Sequence, residues 1–379
     1  MNLQPRRLAL AVLLATAAPL AQAEIPVFES PRGFSIGFEG LLQADANWYD
    51  SDVADLDGDA SDGSDHDRGM RRSELVFKGK APGAIDWVVG YDATGEKWLD
   101  VNLRRRFGAH SVQLGQFKQP NSMEELSSTK NNDFISKAAT TNAFGVARRL
   151  GLAYGYASGP WTATAGWFGR ELTSGGAHGA GYGLRGSYAP AVGEGRIAHL
   201  GLSYVDRDTA ADTLRLRVRP QADLAGARLV DTGRLRDTDR VATVGLEGLW
   251  ASGPFKLQGE LMHSAVDRYD SPDYSADGAY LSAVWNVTGE AWGYKAGVPA
   301  TPKPADAARG LWQLGLRYDT LDLDDAGVQG GRMDAVTAGV NWYWQKHFKL
   351  MLNYVHIDSE RRGVSDDPSI LEVRGQFHW

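Results

Sequence analysis

The last nine residues of the chain, LEVRGQFHW, put Leu371, Val373, Gly375, Phe377 and Trp379 on one face of an extended segment and Glu372, Arg374, Gln376 and His378 on the other. A repeat of two is the pitch of a β-strand, and strict alternation of apolar and polar residues means that the two faces meet different surroundings. Two architectures accept such a strand. At the edge of a soluble β-sandwich the apolar face covers a core. In the wall of a membrane barrel it meets lipid while the polar face lines a lumen.

The start of the chain bears on the compartment. Arg6 and Arg7, an apolar run over residues 8–20 and the small-residue close Ala21-Gln22-Ala23 read as a secretory signal peptide of residues 1–23, cleaved before Glu24. The run is shorter than the roughly 20 residues a bilayer-spanning helix needs, and no later stretch reaches that length. Loss of Arg6 and Arg7 takes the net charge from −7 to −9. The chain has no cysteine, so an exported fold must stand without disulfides. The domain of residues 24–379 can therefore enter a membrane only as a closed barrel, in which every strand finds backbone partners. Its 45 glycines and 12 tryptophans suit close strand packing and interfacial aromatic belts.

Alternation recurs along the whole chain. SIGFEGLLQADANWY (35–49), IDWVVGYD (85–92), RGLWQLGLRYDTLDL, MDAVTAGVNWYWQ and FKLMLNYVHID all show it. The pattern predicts strands at 34–49, 70–81, 85–93, 97–107, 111–118, 146–157, 161–170, 182–189, 196–207, 238–250, 255–267, 276–288, 310–322, 333–344, 348–358 and 369–379. Their number is even, which brings both termini to the periplasmic side. Connections on that side are short, among them Pro82-Gly83, Gly108-Ala109-His110, Gln345-Lys346-His347 and the repeated turn of ASGPW (157–161) and ASGPF (251–255). Most on the other side are long: 50–69, 119–145, 171–181, 208–237 and 359–368. Short inner turns with long outer loops are the pattern of a bacterial outer-membrane barrel, and one of this size encloses an aqueous channel. One connection, 289–309, is long on the periplasmic side. The predicted fold is all-β: a 16-stranded antiparallel transmembrane β-barrel in the bacterial outer membrane, surrounded by its lipid.

Rows of cationic side chains are the strongest candidate sites. MRRSELVFKGK (70–80) carries Arg71 and Arg72, LRRRF (103–107) carries Arg104 and Arg106, and Arg148 follows the third outer loop. TLRLRVRP puts Arg215, Arg217 and Arg219 at alternate positions, so an extended chain points all three the same way. A guanidinium stays charged and presents a planar donor fork that matches phosphate oxygens, so a row of them can pass an anion from partner to partner. The competing reading is structural: lumenal arginines paired with Asp100, Asp208, Asp212 or Asp231 only hold a general pore open. Loop 50–67 is so rich in aspartate that net charge is a poor guide to the lumen. Asp55, Asp57 and Asp59 begin like a calcium loop, but Ala60 stands where the turn needs glycine and His66 where a bidentate glutamate belongs. A solvated, outward-facing acidic loop is expected instead. No G-x-S-x-G, H-E-x-x-H or phosphate-binding glycine loop is present, so the sequence points to no enzyme, cofactor, metal or nucleic-acid partner.

Taken together, RRSELVFKGK, the third-loop segment QLGQFKQPNSMEELSSTK, RLRVRP, GLEGLWASGPFKLQGELM, WNVTGE and AGVNWYWQKHFKLMLNYVHID resemble the phosphate-selective porins of the porin O/P family, in the same order and through nearly the whole mature chain. The resemblance implies a homotrimeric anion channel for inorganic phosphate or polyphosphate. It also implies that the third and fifth outer loops and one long periplasmic turn, here 119–145, 208–237 and 289–309, fold into the lumen. Arg71, Arg72, Arg215, Arg217 and Arg219 would line the anion path, with Lys130 and Lys137 joining from the third loop. Where the family has a lysine after a glutamate in that loop, this chain has Glu124-Glu125. An acid there opposes an anion unless Lys118 or Lys130 compensates. A general or other small-anion porin of the same fold is one alternative, and an enzyme or adhesin built on a barrel is another.

Overall fold

The computed structural model describes residues 25–57, 65–173, 179–193 and 195–379; the leader expected at 1–23 lies outside them. The barrel strands are β1 (Ser35–Asp50), β2 (His66–Ala81), β3 (Ile85–Asp92), β4 (Lys97–Phe107), β5 (His110–Lys118), β6 (Arg148–Ser158), β7 (Trp161–Phe168) and β8 (Gly181–Gly193). The wall continues through β9 (Arg196–Asp208), β10 (Thr238–Ser252), β11 (Phe255–Arg268), β12 (Tyr274–Asn286), β13 (Leu311–Asp325), β14 (Val328–Trp344), β15 (Phe348–Arg361) and β16 (Ser369–His378). Each pairs antiparallel with its neighbour, and β16 returns to β1 with Asp45 opposite Arg374 and Leu42 opposite Phe377. The sheet thus closes and leaves no barrel edge unpaired, as a lipid environment requires. Two short strands add to it at the ends: Ile25–Glu29 folds back on β1 and Val364–Asp366 on β15.

Period-two sequence becomes two-faced wall. Along β1, Gln43, Asp45 and Asn47 are buried inside, while Leu42, Ala44 and Trp48 face out. A run of rings, each 4.9–5.9 Å from the next, follows the periplasmic rim from Trp312 through Trp342, Trp344, Phe348, Phe377, Trp379 and Phe38 to Phe77. Such a girdle marks the membrane interface of outer-membrane barrels. Trp379 belongs to it and seals the barrel seam. Its backbone exchanges two hydrogen bonds with Gly40, both 3.3 Å, and its indole lies where any side chain at Gly40 would project, 2.0 Å from the Cβ position.

The outer hairpins differ from the sequence reading. β2 begins at His66 instead of 70, and β13 and β14 run on to a two-residue turn at Ala326-Gly327, with φ of 46° and 81°. Above the lipid both faces of a hairpin are wet, so the ladder continues without the apolar alternation that identifies a strand. The aspartate-rich loop is also not simply solvated. Leu56 is buried in the lumenal apolar cluster, and its carbonyl accepts from Gly226 N at 3.0 Å. Ser51 Oγ and Ala54 N both bind Asp366, each at 3.0 Å. Of the positions the calcium reading rests on, Asp59 and Ala60 lie outside the described residues, and His66 opens β2.

Three insertions occupy the lumen. The third outer loop (residues 119–147) contains the helices Met123–Leu126 and Ala139–Phe144. The fifth (residues 209–237) supplies Leu214, Leu216, Val218, Leu229 and Val230 to an apolar cluster with Met262, Val266, Leu321, Met333 and Ile357 of the inner wall. From the periplasmic side, turn 287–310 buries Trp292 beneath Lys256, whose Nζ lies 3.9 Å from the ring centroid, and brings Tyr294 Oη 2.6 Å from His199 Nδ1.

Candidate channel constriction

Loop 209–237 makes its arginine row by the same alternation that builds the wall. Leu214, Leu216 and Val218 enter the apolar cluster, and Arg215, Arg217 and Arg219 stand exposed on the other side. The loop is a narrow ribbon, with Thr213–Leu214 paired to Leu235–Arg236 and Arg217–Val218 to Val230–Asp231. Burying an aliphatic side chain contributes roughly 1.5–3 kcal/mol, so the apolar face can hold the cations in a row without a carboxylate for each. Arg215 does have one: Asp231 grips it in a bidentate pair, Nε to Oδ1 at 2.8 Å. Arg219 donates Nε to Ala225 O at 2.8 Å. Arg217 has no ion-pair partner among the described residues.

Past Pro220 the loop docks on the wall. Asp223 lies 2.7 Å from Arg71 Nε and 3.3 Å from Arg374 Nη2. Burial would raise this carboxyl, but Arg71 and Arg374 outweigh it and hold it well below the usual carboxylate range. Arg374 also takes Asp45 in a bidentate pair at 2.7 and 2.6 Å and donates Nη1 to Ile135 O at 2.8 Å. One guanidinium therefore ties β1, β16 and both inserted outer loops together. Consecutive residues of a regular strand point to opposite faces, yet Arg71 and Arg72 both face in. A β-bulge explains this: Gln43 pairs with Arg72 and Ala44 with Met70, leaving Arg71 as the extra residue.

Where the chain enters and leaves the third loop, Lys118 and Arg148 sit opposite each other on β5 and β6. Arg148 binds Asp100 at 2.7 and 2.9 Å. Lys118 Nζ is 3.7 Å from Glu125 Oε1 and donates to Ser127 O at 3.1 Å, while Lys137 pairs with the other Glu125 oxygen. Burial would raise the Glu125 carboxyl, but Lys137 and then Lys118 overcome it and hold it down at about 2. Glu124 is 3.6 Å from Arg317 and accepts from Ala138 N at 3.0 Å. Glu125 is thus neutralised by Lys137 of the loop and Lys118 of β5, while Glu124 leans on Arg317 of β13, which also holds Asp319 at 2.7 Å. The compensating pair is Lys118 and Lys137; Lys130 instead binds Glu39 at 3.2 Å, beside Lys78. Further along β4, Arg104 donates Nη2 to Ser111 Oγ at 3.1 Å and Arg106 pairs with Asp86 at 2.6 Å, whereas the pairing of Arg105 with Ile85 and Val112 puts it on the lipid side.

The third loop rests on a seat that the motifs did not reveal. Phe134 packs against Gly315 of β13 and Gly339 of β14, where a Cβ would lie 3.0 and 3.2 Å from its ring. Arg317 stacks over the same ring at 4.7 Å and donates to Ser136 O (2.9 Å) and Gln221 Oε1 (2.7 Å). Glu260 receives the N–H groups of Met123 (3.0 Å) and Glu124 (2.7 Å) at the start of the first helix. Alternation alone could have placed Arg317 and Arg374 inside; which loop each would hold depends on the folded lumen. Lys97 was also missed, and it shares the field of Arg71, Arg72 and Arg148.

Residues 42–379 match the family described as phosphate-selective porin O and P. The chain is 30% identical over 341 residues to an uncharacterized protein of Caulobacter vibrioides, a match covering 84% of this chain and 68% of that one. It is 27% identical over 210 residues to porin O of Pseudomonas aeruginosa, covering 48% of each. Among solved structures it is similar to OmpT of Vibrio cholerae (TM-score 0.60, 10% identity, 93% of this chain and 100% of that one), also described in a trimer form (TM-score 0.58, 10% identity, 92% and 100%). It is similar too to an anion-selective porin from Comamonas acidovorans (TM-score 0.55, 14% identity, 91% and 100%). At such identities the structures speak for the fold, and the family match speaks for descent. The chain belongs to the phosphate-selective porin O and P family: it is a porin of the bacterial outer membrane, a channel and not an enzyme.

Proposed function

We propose that this porin passes anions, inorganic phosphate and polyphosphate among them, by passive diffusion along a path lined by arginine and lysine. The observation that carries the reading is the segment 214–219, whose leucines and valine are sunk in apolar packing while Arg215, Arg217 and Arg219 stand exposed. Beyond that row, Arg71, Arg72, Lys97, Lys118 and Arg148 continue the positive lining on the wall, with Arg104 and Arg106 farther along β4 and Lys130 and Lys137 on the third loop. An aqueous lumen with low-dielectric walls lined by one sign of charge concentrates the opposite ion, and several moderate sites allow release as well as entry. The carboxylates cancel only part of this charge: Asp231, Asp100, Asp86 and Glu74 each take one arginine and Asp45 with Asp223 balances Arg71 and Arg374, but Glu125 is shared by Lys118 and Lys137, Glu39 by Lys130 and Lys78, and Arg217 and Arg219 have no ion-pair partner among the described residues. The family's description as phosphate-selective supports the choice of permeant. The functional unit is a homotrimer, and residues 1–23 are removed on export.

Titration of phosphate into chloride-bathed planar bilayers tests the permeant. Phosphate should reduce the chloride current saturably, because both ions compete for the same guanidinium groups. A chloride current unaffected by phosphate would leave a general or small-organic-anion porin in its place.

A further inference from the structure

Two lysines of the inner wall take no part in the positive lining. Lys256 of β11 is 2% exposed and Lys349 of β15 1%, so a permeating ion reaches neither. A buried ammonium is costly unless it is paired and hydrogen-bonded, and both lysines meet that demand in the same way. Lys256 Nζ lies 3.9 Å from the ring centroid of Trp292 in the periplasmic turn and 2.6 Å from Asp133 Oδ2 in the third loop. Lys349 Nζ lies 4.6 Å from the ring centroid of Tyr343 and donates to Asn132 O at 2.5 Å. Each ammonium thus sits between an aromatic face and an oxygen of the third loop, and the two oxygens belong to neighbouring residues.

The Trp292 ring is itself fixed. The residue is buried, and it donates from its backbone N to Gly253 O at 3.0 Å and from Nε1 to Pro254 O at 3.1 Å. It also belongs to the apolar cluster around Met123, the first residue of the third loop's first helix. The periplasmic turn therefore supports the loop twice, at Met123 directly and at Asp133 through Lys256. From the wall, Asn341 Nδ2 donates to Asp133 O at 2.8 Å. Glu124, Glu125 and Lys130 lie between these two holds, so a shift of the loop carries the charges of the constriction with it.

We propose that Lys256 and Lys349 are positioning residues for the constriction: they clamp residues 132–133 against the wall and so set how far the third loop reaches into the channel. Their charge is spent on the clamp and not on the permeating anion. The long periplasmic connection acquires a role in this way, as the mount for the Trp292 ring. The clamp is independent of which anion the channel prefers, so its failure and that of the phosphate reading are separable.

The test compares K256Q, D133N, the double variant K256Q/D133N and W292L with wild type. K256Q and D133N remove opposite charges, so a pure charge effect drives them in opposite directions, whereas loss of the clamp drives them the same way. Single-channel conductance is read in 1 M potassium chloride, where charge is screened within about 3 Å, and sugar entry is read by liposome swelling. Each single variant should raise conductance roughly 1.5-fold or more and speed the entry of larger sugars, and the double variant should do no more than the larger single. K349Q should act in the same direction. Heat-modifiable gel migration reports that each barrel has folded, and D133N and W292L read the same contact should K256Q fail to fold. Unchanged conductance in folded K256Q and D133N, opposite shifts in the two, or effects that multiply in the double variant would overturn the proposal.

Discussion

The substitution Glu125→Gln removes a negative charge from between two lysines, and it should make the channel more anion-selective while loosening the third loop. Glu125 is 7% exposed and is held at about 2 against an ordinary 4.5. Burial acts in the opposite direction, so the lysines supply more than the net difference, which is about 3 kcal/mol at ~1.4 kcal/mol per tenfold. For permeation, an anion passing about 8 Å from the lost charge gains ~0.5–1 kcal/mol in a medium between bulk water and half its dielectric constant, or roughly two- to sixfold in occupancy. The assay is the reversal potential across a potassium chloride gradient at pH 7 for wild type, E125Q and E125D. E125Q should raise the chloride-to-potassium permeability ratio at least twofold, and E125D should leave it near wild type. The folded carboxyl titrates below the unfolded one, so its stabilisation is full above about pH 4.5 and fades as pH falls toward 2. Third-loop protection from proteolysis should therefore hold in wild type down to that range and be weaker in E125Q at pH 7. A lower or unchanged permeability ratio in E125Q, with conductance and assembly intact, would refute the reasoning.

Arg217→Gln should weaken anion preference without measurable loss of stability, whereas Arg215→Gln should do both, because it leaves buried Asp231 unpaired at a cost of about 1–3 kcal/mol; reversal potential and thermal unfolding separate the two effects. Arg374→Gln strips Asp45 and Asp223 of their shared cation, a change worth about 3–5 kcal/mol, and should expose both inserted outer loops to protease; loops as resistant as in wild type would contradict the assigned tie. Gly315→Val intrudes on Phe134, already 3.0 Å from the Cβ position, and should displace the third loop. Overpacking of that kind costs about 1–3 kcal/mol, and the expected reading is a larger single-channel conductance with faster entry of sugars in liposome swelling.

The wall was legible in the sequence because lipid outside and water inside force period two on each strand. LEVRGQFHW gave the seam in this way: Glu372 and Arg374 face in, and Trp379 joins the girdle. Hairpin tips such as Asp325 to Val328 were not legible, since above the membrane nothing enforces alternation. In the lumen, RLRVRP disclosed its arginine row because one side of that loop is apolar. Its partners were another matter. Asp231 and Lys118 stand among the candidate partners in the sequence, but which arginine Asp231 takes, and that Asp223 joins Arg71 to Arg374 and Lys137 joins Lys118 on Glu125, is decided only when the loops fold inward. The bulge that turns both Arg71 and Arg72 inward depends likewise on how β2 meets β1.

The most direct test of the central claim is the reversal potential of wild type beside R215Q/R217Q/R219Q in a tenfold potassium chloride gradient. A channel governed by these arginines should reverse near the chloride potential in wild type and move toward or past zero in the variant. Cation preference in wild type, or the same reversal potential in both proteins, would contradict it.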